Sequence, residues 1–225
     1  SEIITSSNRP YGLHRARIEN FFLGEKIISL RKCSDRPTFT FTEFDCYVSQ
    51  THFVIKTNRI NQKYLTALLN SSLIEFWLRY RGKMQGFNFQ VDKEPLLDIP
   101  IFNPESTEIF SILVDYIIQV KRLEKEQINS HVPNSHLAEQ FEEIIDAMVM
   151  ELYFKQDFKN VGIEFIKYVE RDFKPIEHLK NHDEKIKVIH ETYQKLRQKD
   201  NEIRNNLKLM DIKLADIVMP IKTAK

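Results

Sequence analysis

Apolar and polar residues alternate early in this chain, then recur at three- and four-residue spacing through most of the remainder. Residues 26–32 form a short β-prone run. Residues 38–44 set Phe39 and Phe41 between threonines, and residues 53–57 are β-branched and aromatic, with Arg36-Pro37 as punctuation. This two-residue period predicts half-buried strands. From about Asn61 the period lengthens. Tyr64, Leu65, Leu68, Leu69, Ser72, Leu73, Phe76, Trp77 and Tyr80 describe one helical face. Gly82 and Gly86 end the helix and open a loop over residues 79–90, which runs into an extended segment closed by Ile99-Pro100.

Asn103-Pro104 has the character of a hinge, because proline fixes its own φ and keeps the preceding residue extended. Ser106 or Thr107 can cap the helix that follows. Ile109, Ile112, Leu113, Tyr116, Ile117, Val120 and Leu123 form one stripe, and a polar linker over residues 127–135 contains Pro133. Leu137, Phe141, Ile144, Ile145, Met148, Val149 and Leu152 form a second stripe. The third is the most regular: Ile186, Ile189, Tyr193, Leu196, Asp200, Ile203, Leu207 and Met210. That seam suits either packing inside one helical bundle or a dimer zipper. The expected fold class is α+β, with a small β-rich domain and packed helices over residues 1–103 and an all-α helical bundle over residues 104–225.

At 42% apolar and 29% charged residues, the composition is that of a globular protein with ample material for a core. No apolar run approaches the roughly 18 residues of a membrane span, and no secretory signal is visible. Cys33 and Cys46 are too few for a disulfide scaffold and lack zinc spacing, so a reduced cytoplasmic compartment is expected. The start at Ser-Glu-Ile, without Met, predicts an excised fragment of a longer polypeptide. The net charge of +1 conceals an asymmetry. Residues 1–103 carry 14 Lys and Arg against 10 Asp and Glu, and residues 104–225 carry 19 against 22. A polyanion would meet the first part rather than the second.

Catalytic motifs are absent: there is no P-loop, dinucleotide fingerprint, His-Glu-x-x-His or Gly-x-Ser-x-Gly, and five glycines are few for a cofactor-binding α/β domain. His178 and His182 are spaced i, i+4, a pattern that more often faces solvent than holds a metal. The basic residues are more informative. Arg9, His14, Arg15 and Arg17 surround Tyr11 and Gly12; Arg31, Lys32 and Arg36 surround a strand end; Arg79, Arg81 and Lys83 lead into Gln85, Asn88 and Gln90. Three clusters at turns suit a groove-facing surface on a scaffold, with ordinary surface charge as the alternative. Phe87 and Phe89 are expected to point inward, which turns Asn88 and Gln90 outward.

Five motifs stand in order over residues 9–102: Tyr11-Gly-Leu-His-Arg15, Gly24-Glu-Lys-Ile-Ile28, Phe44-Asp-Cys-Tyr-Val48, Tyr64-Leu-Thr-Ala-Leu-Leu-Asn-Ser71 and Pro95-Leu-Leu-Asp-Ile-Pro-Ile101. Together they resemble the C-terminal specificity domain of TaqI-type adenine DNA methyltransferases, a module also fused to type IIG restriction-modification enzymes. The resemblance implies a target recognition domain that grips double-stranded DNA opposite a catalytic domain, which flips adenine and methylates N6 from S-adenosylmethionine. The Asn-Pro-Pro-Tyr/Phe motif of that chemistry is missing, and Asn103-Pro104-Glu105 does not supply it.

No catalysis and no cofactor is therefore expected in this fragment. S-adenosylmethionine and Mg belong to the parent enzyme, and the expected partners are duplex DNA and the methyltransferase or nuclease domains of the same polypeptide. Asp183-Glu-Lys185 and Asp211-Ile-Lys213 match part of a nuclease motif, but they sit on helical patterns and such triplets arise by chance in so charged a chain. Phe141-Glu-Glu-Ile-Ile-Asp-Ala-Met-Val-Met-Glu-Leu-Tyr153 and Ile203-Arg-Asn-Asn-Leu207 resemble the tail of long type IIG polypeptides. The expected DNA contacts are Arg15, Arg31, Lys32, Lys83, Gln85, Asn88 and Gln90, since Arg and Lys pair with guanine or phosphate and Gln and Asn with adenine. Two rivals stand beside this reading: a helical interaction or dimerisation module, and a single-strand or RNA binder that stacks bases on Tyr and Phe.

Overall fold

A computed structural model describes residues 18–86, 88–123, 127–129 and 131–224. Arg15 and the Tyr11-Gly-Leu-His-Arg15 motif lie outside the described residues, as does Phe87.

The fold is α+β. After a 3-10 turn at Glu19–Phe21 come β1 (Lys26–Leu30), β2 (Lys32–Cys33), β3 (Phe39–Thr42) and β4 (His52–Ile55). The helices α1 (Gln62–Leu69) and α2 (Ser72–Arg81) are followed by β5 (Lys83–Gln85), β6 (Asn88–Gln90) and a short α3 (Lys93–Leu97). The strands form two antiparallel three-stranded sheets, in the orders β3-β1-β4 and β2-β6-β5. The alternation expected from the sequence holds over the first three residues of β3, where Phe39 and Phe41 are buried and Thr40 is exposed, and ends at Thr42, which is buried as well.

Three local expectations change. The helical face from Tyr64 to Tyr80 is carried by two helices. The chain leaves the helical path at Ser71, which is extended, just after Asn70 pairs its side chain with the edge of β3, accepting from Phe39 N at 3.0 Å and donating to Phe39 O at 2.7 Å. Ser71 then caps α2 by accepting from Ile74 N at 3.3 Å. The loop after α2 is a β-hairpin, turned at Gly86 with φ +63°. The segment before Ile99 contains α3, where Pro95 is tolerated because first-turn N–H groups have no intrahelical acceptor.

Beyond Pro104 come α4 (Glu108–Arg122), α5 (Asn134–Tyr153), α6 (Lys155–Val161), α7 (Ile166–Asp172), α8 (His182–Leu196), α9 (Glu202–Lys213) and α10 (Ala215–Lys222). The regular third stripe is split between α8 and α9 by Asn201, whose side chain caps α9 by accepting from Arg204 N at 3.0 Å. Ile189, Tyr193, Leu196, Ile203 and Met210 are buried against the chain's own helices, so these positions of the stripe serve intramolecular packing.

One contiguous cluster of buried side chains extends from Ile27 to Ile221. Across Asn103-Pro104, α1 packs on α4, and α2 packs on α5 and α10. Polar contacts reinforce this junction. Lys63 of α1 meets Asp115 of α4 at 2.8 Å and Glu177 at 3.3 Å. The Tyr64 hydroxyl donates to Phe102 O at 2.6 Å, and the Tyr153 hydroxyl donates to Pro100 O at 2.5 Å while accepting from Phe102 N at 3.0 Å.

Candidate nucleic-acid interface

The second sheet brings together most of the residues expected to read DNA. Its register sets Lys32 opposite Gln90 and Gln90 opposite Lys83, a single row across three strands. Cross-strand neighbours share a face, and strands lie about 5 Å apart, so the two lysines flank Gln90 about 10 Å from each other. Asn88 lies two residues from Gln90 and therefore on the same face. Lys32, Lys83 and Asn88 are exposed and Gln90 partly so. The next row, Cys33, Phe89 and Met84, points to the opposite face, with Cys33 and Phe89 buried. The expected parity thus holds for residues 88–90. Gln85 pairs through its backbone with Asn88 beside the turn.

Two glycines shape this ribbon. A Cβ on Gly82 would come within 2.3 Å of the Leu78 carbonyl oxygen, so α2 can close into β5 only through glycine. Gly86 supplies the positive φ that the tight turn requires.

Arg31 belongs to the frame as much as to the surface. Its N–H donates to Thr51 O at 2.9 Å beside the first sheet, and its C=O accepts from Val91 N at 2.8 Å beside the second. The chain passes from one sheet to the other at this residue. Its exposed guanidinium lies over the Phe53 ring, 4.8 Å from the centroid. Arg31 directly precedes Lys32 in the chain.

Several other cations have structural duties. Arg36 donates to Asn70 O and lies 3.9 Å from Glu75. Arg79 sits beneath the sheet, its guanidinium 4.6 Å from the centroid of Phe89 and 3.3 Å from Glu75. Arg81 lies over Trp77 at 5.4 Å. Asp92 is a partner that the sequence did not reveal: it accepts from Gln90 Nε2 at 2.9 and 3.2 Å. The Gln90 amide has two N–H donors and a carbonyl acceptor, so its second N–H and its carbonyl can still match the acceptor and donor of adenine. Lys26 was also missed as a polar anchor. It is fully buried in β1, donating to Gly24 O at 2.8 Å and Phe44 O at 2.6 Å. Its signal in the sequence is a charged residue in a short, mainly apolar strand.

Cys33 lies on the buried side of this sheet. Burial pushes the Cys33 thiol above its ordinary pKa, outweighing a backbone hydrogen bond from Thr38, which makes it a poor nucleophile. Among the described residues no group of three or more His, Cys, Asp or Glu is placed to hold a metal ion, and no helix is long and apolar enough to cross a membrane.

The arrangement defines a small α+β module whose exposed chemistry is a cationic, amide-bearing sheet face carried on a helical scaffold. Residues 5–101 match the family model of the TaqI-like C-terminal specificity domain, a specificity unit and not a catalytic one. The matched segment contains both sheets, α1, α2 and α3; the helices from α4 onward lie beyond it. Comparison with curated proteins gives no match.

Proposed function

We propose that this chain reads the sequence of double-stranded DNA for an adenine-N6 methyltransferase or type IIG restriction-modification enzyme. Methyl transfer from S-adenosylmethionine, and any Mg-dependent cleavage, would reside in domains outside this chain, in a cytoplasmic parent enzyme. The observation that carries the reading is the Lys32–Gln90–Lys83 row with Asn88 beside it, amides between ammonium groups on one exposed face. Amides discriminate base edges, and the flanking cations hold phosphates and set register. The β5–β6 ribbon is narrow enough for a major groove about 12 Å wide. Division of labour follows: the face positions the duplex while a catalytic domain elsewhere extrudes the base.

A duplex partner is favoured over a single strand by the placement of Phe89. Base stacking needs an exposed ring; Phe89 is turned to the buried face beneath the amides, and the exposed rings of Phe44, Tyr47 and Tyr80 lie outside this sheet. The test is anisotropy binding to a randomised duplex pool across a salt series, followed by sequencing of what stays bound. Contacts from Arg31, Lys32 and Lys83 predict a log–log salt slope near −3 from this face alone, at about −0.9 per neutralised phosphate, together with an enriched short motif. Binding that is insensitive to salt, or no binding at the lowest salt, would overturn the proposal.

A further inference from the structure

The helix beneath the reading face begins on a residue of the other half of the chain. Asp146, in the middle of α5, is half-buried, and its Oδ1 accepts a hydrogen bond from Ser72 N at 2.8 Å in the first turn of α2. This places a carboxylate at the end of α2 where backbone N–H groups lack intrahelical partners. Seven residues later the same helix presents Arg79, whose guanidinium lies 4.6 Å from the centroid of the Phe89 ring. Phe89 is the central residue of β6, and its neighbours Asn88 and Gln90 project from the opposite face. Glu75, one turn before Arg79, fixes that guanidinium at 3.3 Å. The C-terminal end of α2 then enters β5 through Gly82, whose N–H donates to Leu78 O at 2.8 Å. The face is thus supported from below by α2, and that helix is held at its start from outside residues 5–101.

From this we infer that Asp146 and Arg79 are positioning residues for sequence discrimination: Asp146 sets the start of α2, and Arg79 transmits that placement to Phe89 and so to Asn88 and Gln90. The helical half is then part of the specificity apparatus. The inference rests on the proposed reading of duplex DNA for its functional consequence, but its structural part stands independently. Amide contacts to base edges tolerate little displacement, whereas phosphate contacts from flexible lysines tolerate more. Loss of the support should therefore lower discrimination before it lowers general affinity.

The experiment uses the full chain, with Asp146→Ala and Asp146→Asn. Two quantities are read: hydrogen exchange of the β5 and β6 amides, with the α8 amides as the reference for global opening, and the ratio of affinities for the enriched duplex and a randomised one. Asp146→Ala is expected to speed exchange in β5 and β6 relative to α8 and to lower the affinity ratio about tenfold, with the salt slope unchanged. Asp146→Asn should restore both, because an amide oxygen accepts the same bond from Ser72 N. Should Asp146→Ala fail to fold, Arg79→Leu, which keeps the bond to Ser72, reads the same two quantities. Unchanged relative exchange with an unchanged ratio, or an equal loss of affinity for both duplexes, would overturn the inference. If the unmodified chain binds no duplex, the proposed function fails, and the exchange measurement alone decides the positioning role.

Discussion

Lys195 of α8 reaches Asp172 at the end of α7, with Nζ 2.6 Å from Oδ1. Arg171 approaches the same carboxylate through Nε at 2.6 Å and Nη2 at 3.0 Å, and Asn201, the cap of α9, donates to Oδ2 at 3.3 Å. The Asp172 side chain has no solvent exposure, so one buried anion ties three helices together. Burial alone would raise its pKa; Arg171 and Lys195 outweigh that and hold it below the ordinary carboxylate value.

Asp172→Ala is therefore expected to destabilise the chain by about 2 kcal/mol at pH 7. That is less than for a fully buried pair, because both cations are half-exposed and regain water. A folded pKa below the unfolded one gives stabilisation that is present above the ordinary value near 3.8 and lost as pH falls through the lowered one. Urea titrations of the parent chain and the variant should differ at pH 7 and converge toward pH 2.

Asp146 has the opposite sign. Desolvation raises it to about 6, against partial relief from its bonds with Ser72 and the charges of Arg36 and Lys222. Between the unfolded value of 3.8 and about 6 the folded state binds more protons, so this group's contribution falls as pH rises through that window. Two units correspond to roughly 3 kcal/mol. The difference in stability between the parent chain and Asp146→Asn, measured by denaturant from pH 4 to pH 7, should move in favour of the variant and level off above pH 6. A flat difference would contradict the assignment.

Lys26→Met tests the polar anchor inside β1. The substitution preserves the stem but leaves the carbonyls of Gly24 and Phe44 without their donor. A loss of about 2 kcal/mol is expected, seen as a fall in Tm of roughly 4–8 °C.

On the candidate interface, cation and amide variants should behave differently. Lys32→Ala is expected to weaken binding to all duplexes alike and to reduce the salt slope by about 1. Asn88→Ala and Gln85→Ala should each relax preference at one base pair by about 1–3 kcal/mol. Selection from a randomised pool with each variant separates the two behaviours; uniform losses from all three would make the face a phosphate clamp rather than a reader.

Much of the architecture was legible because it depends on local periodicity. Strand runs at 26–32 and 38–44, the helical stripes beyond residue 104 and the outward parity of Asn88 and Gln90 all follow from which side chains must avoid water. The failures share one cause. The break between α1 and α2 falls where Asn70 pairs with the edge of β3, the ribbon over residues 83–90 is joined to β2 through β6, and Asn201 interrupts the third stripe while bonding to Asp172. Each depends on a partner distant in sequence, which periodicity does not encode.

The same division applies to the site. By itself the sequence determined the residue types available, the basic character of the first part and the five ordered motifs, since these are properties of the covalent chain. Only the tertiary structure decided that Lys32 and Lys83, some fifty residues apart, flank Gln90 in one row, that Arg79 and Arg36 are committed to support, and that Asp146 anchors α2. Strand register and buried hydrogen bonding made those choices: burying a polar group costs less when it has a partner, and the partners come from wherever the packed chain can place them.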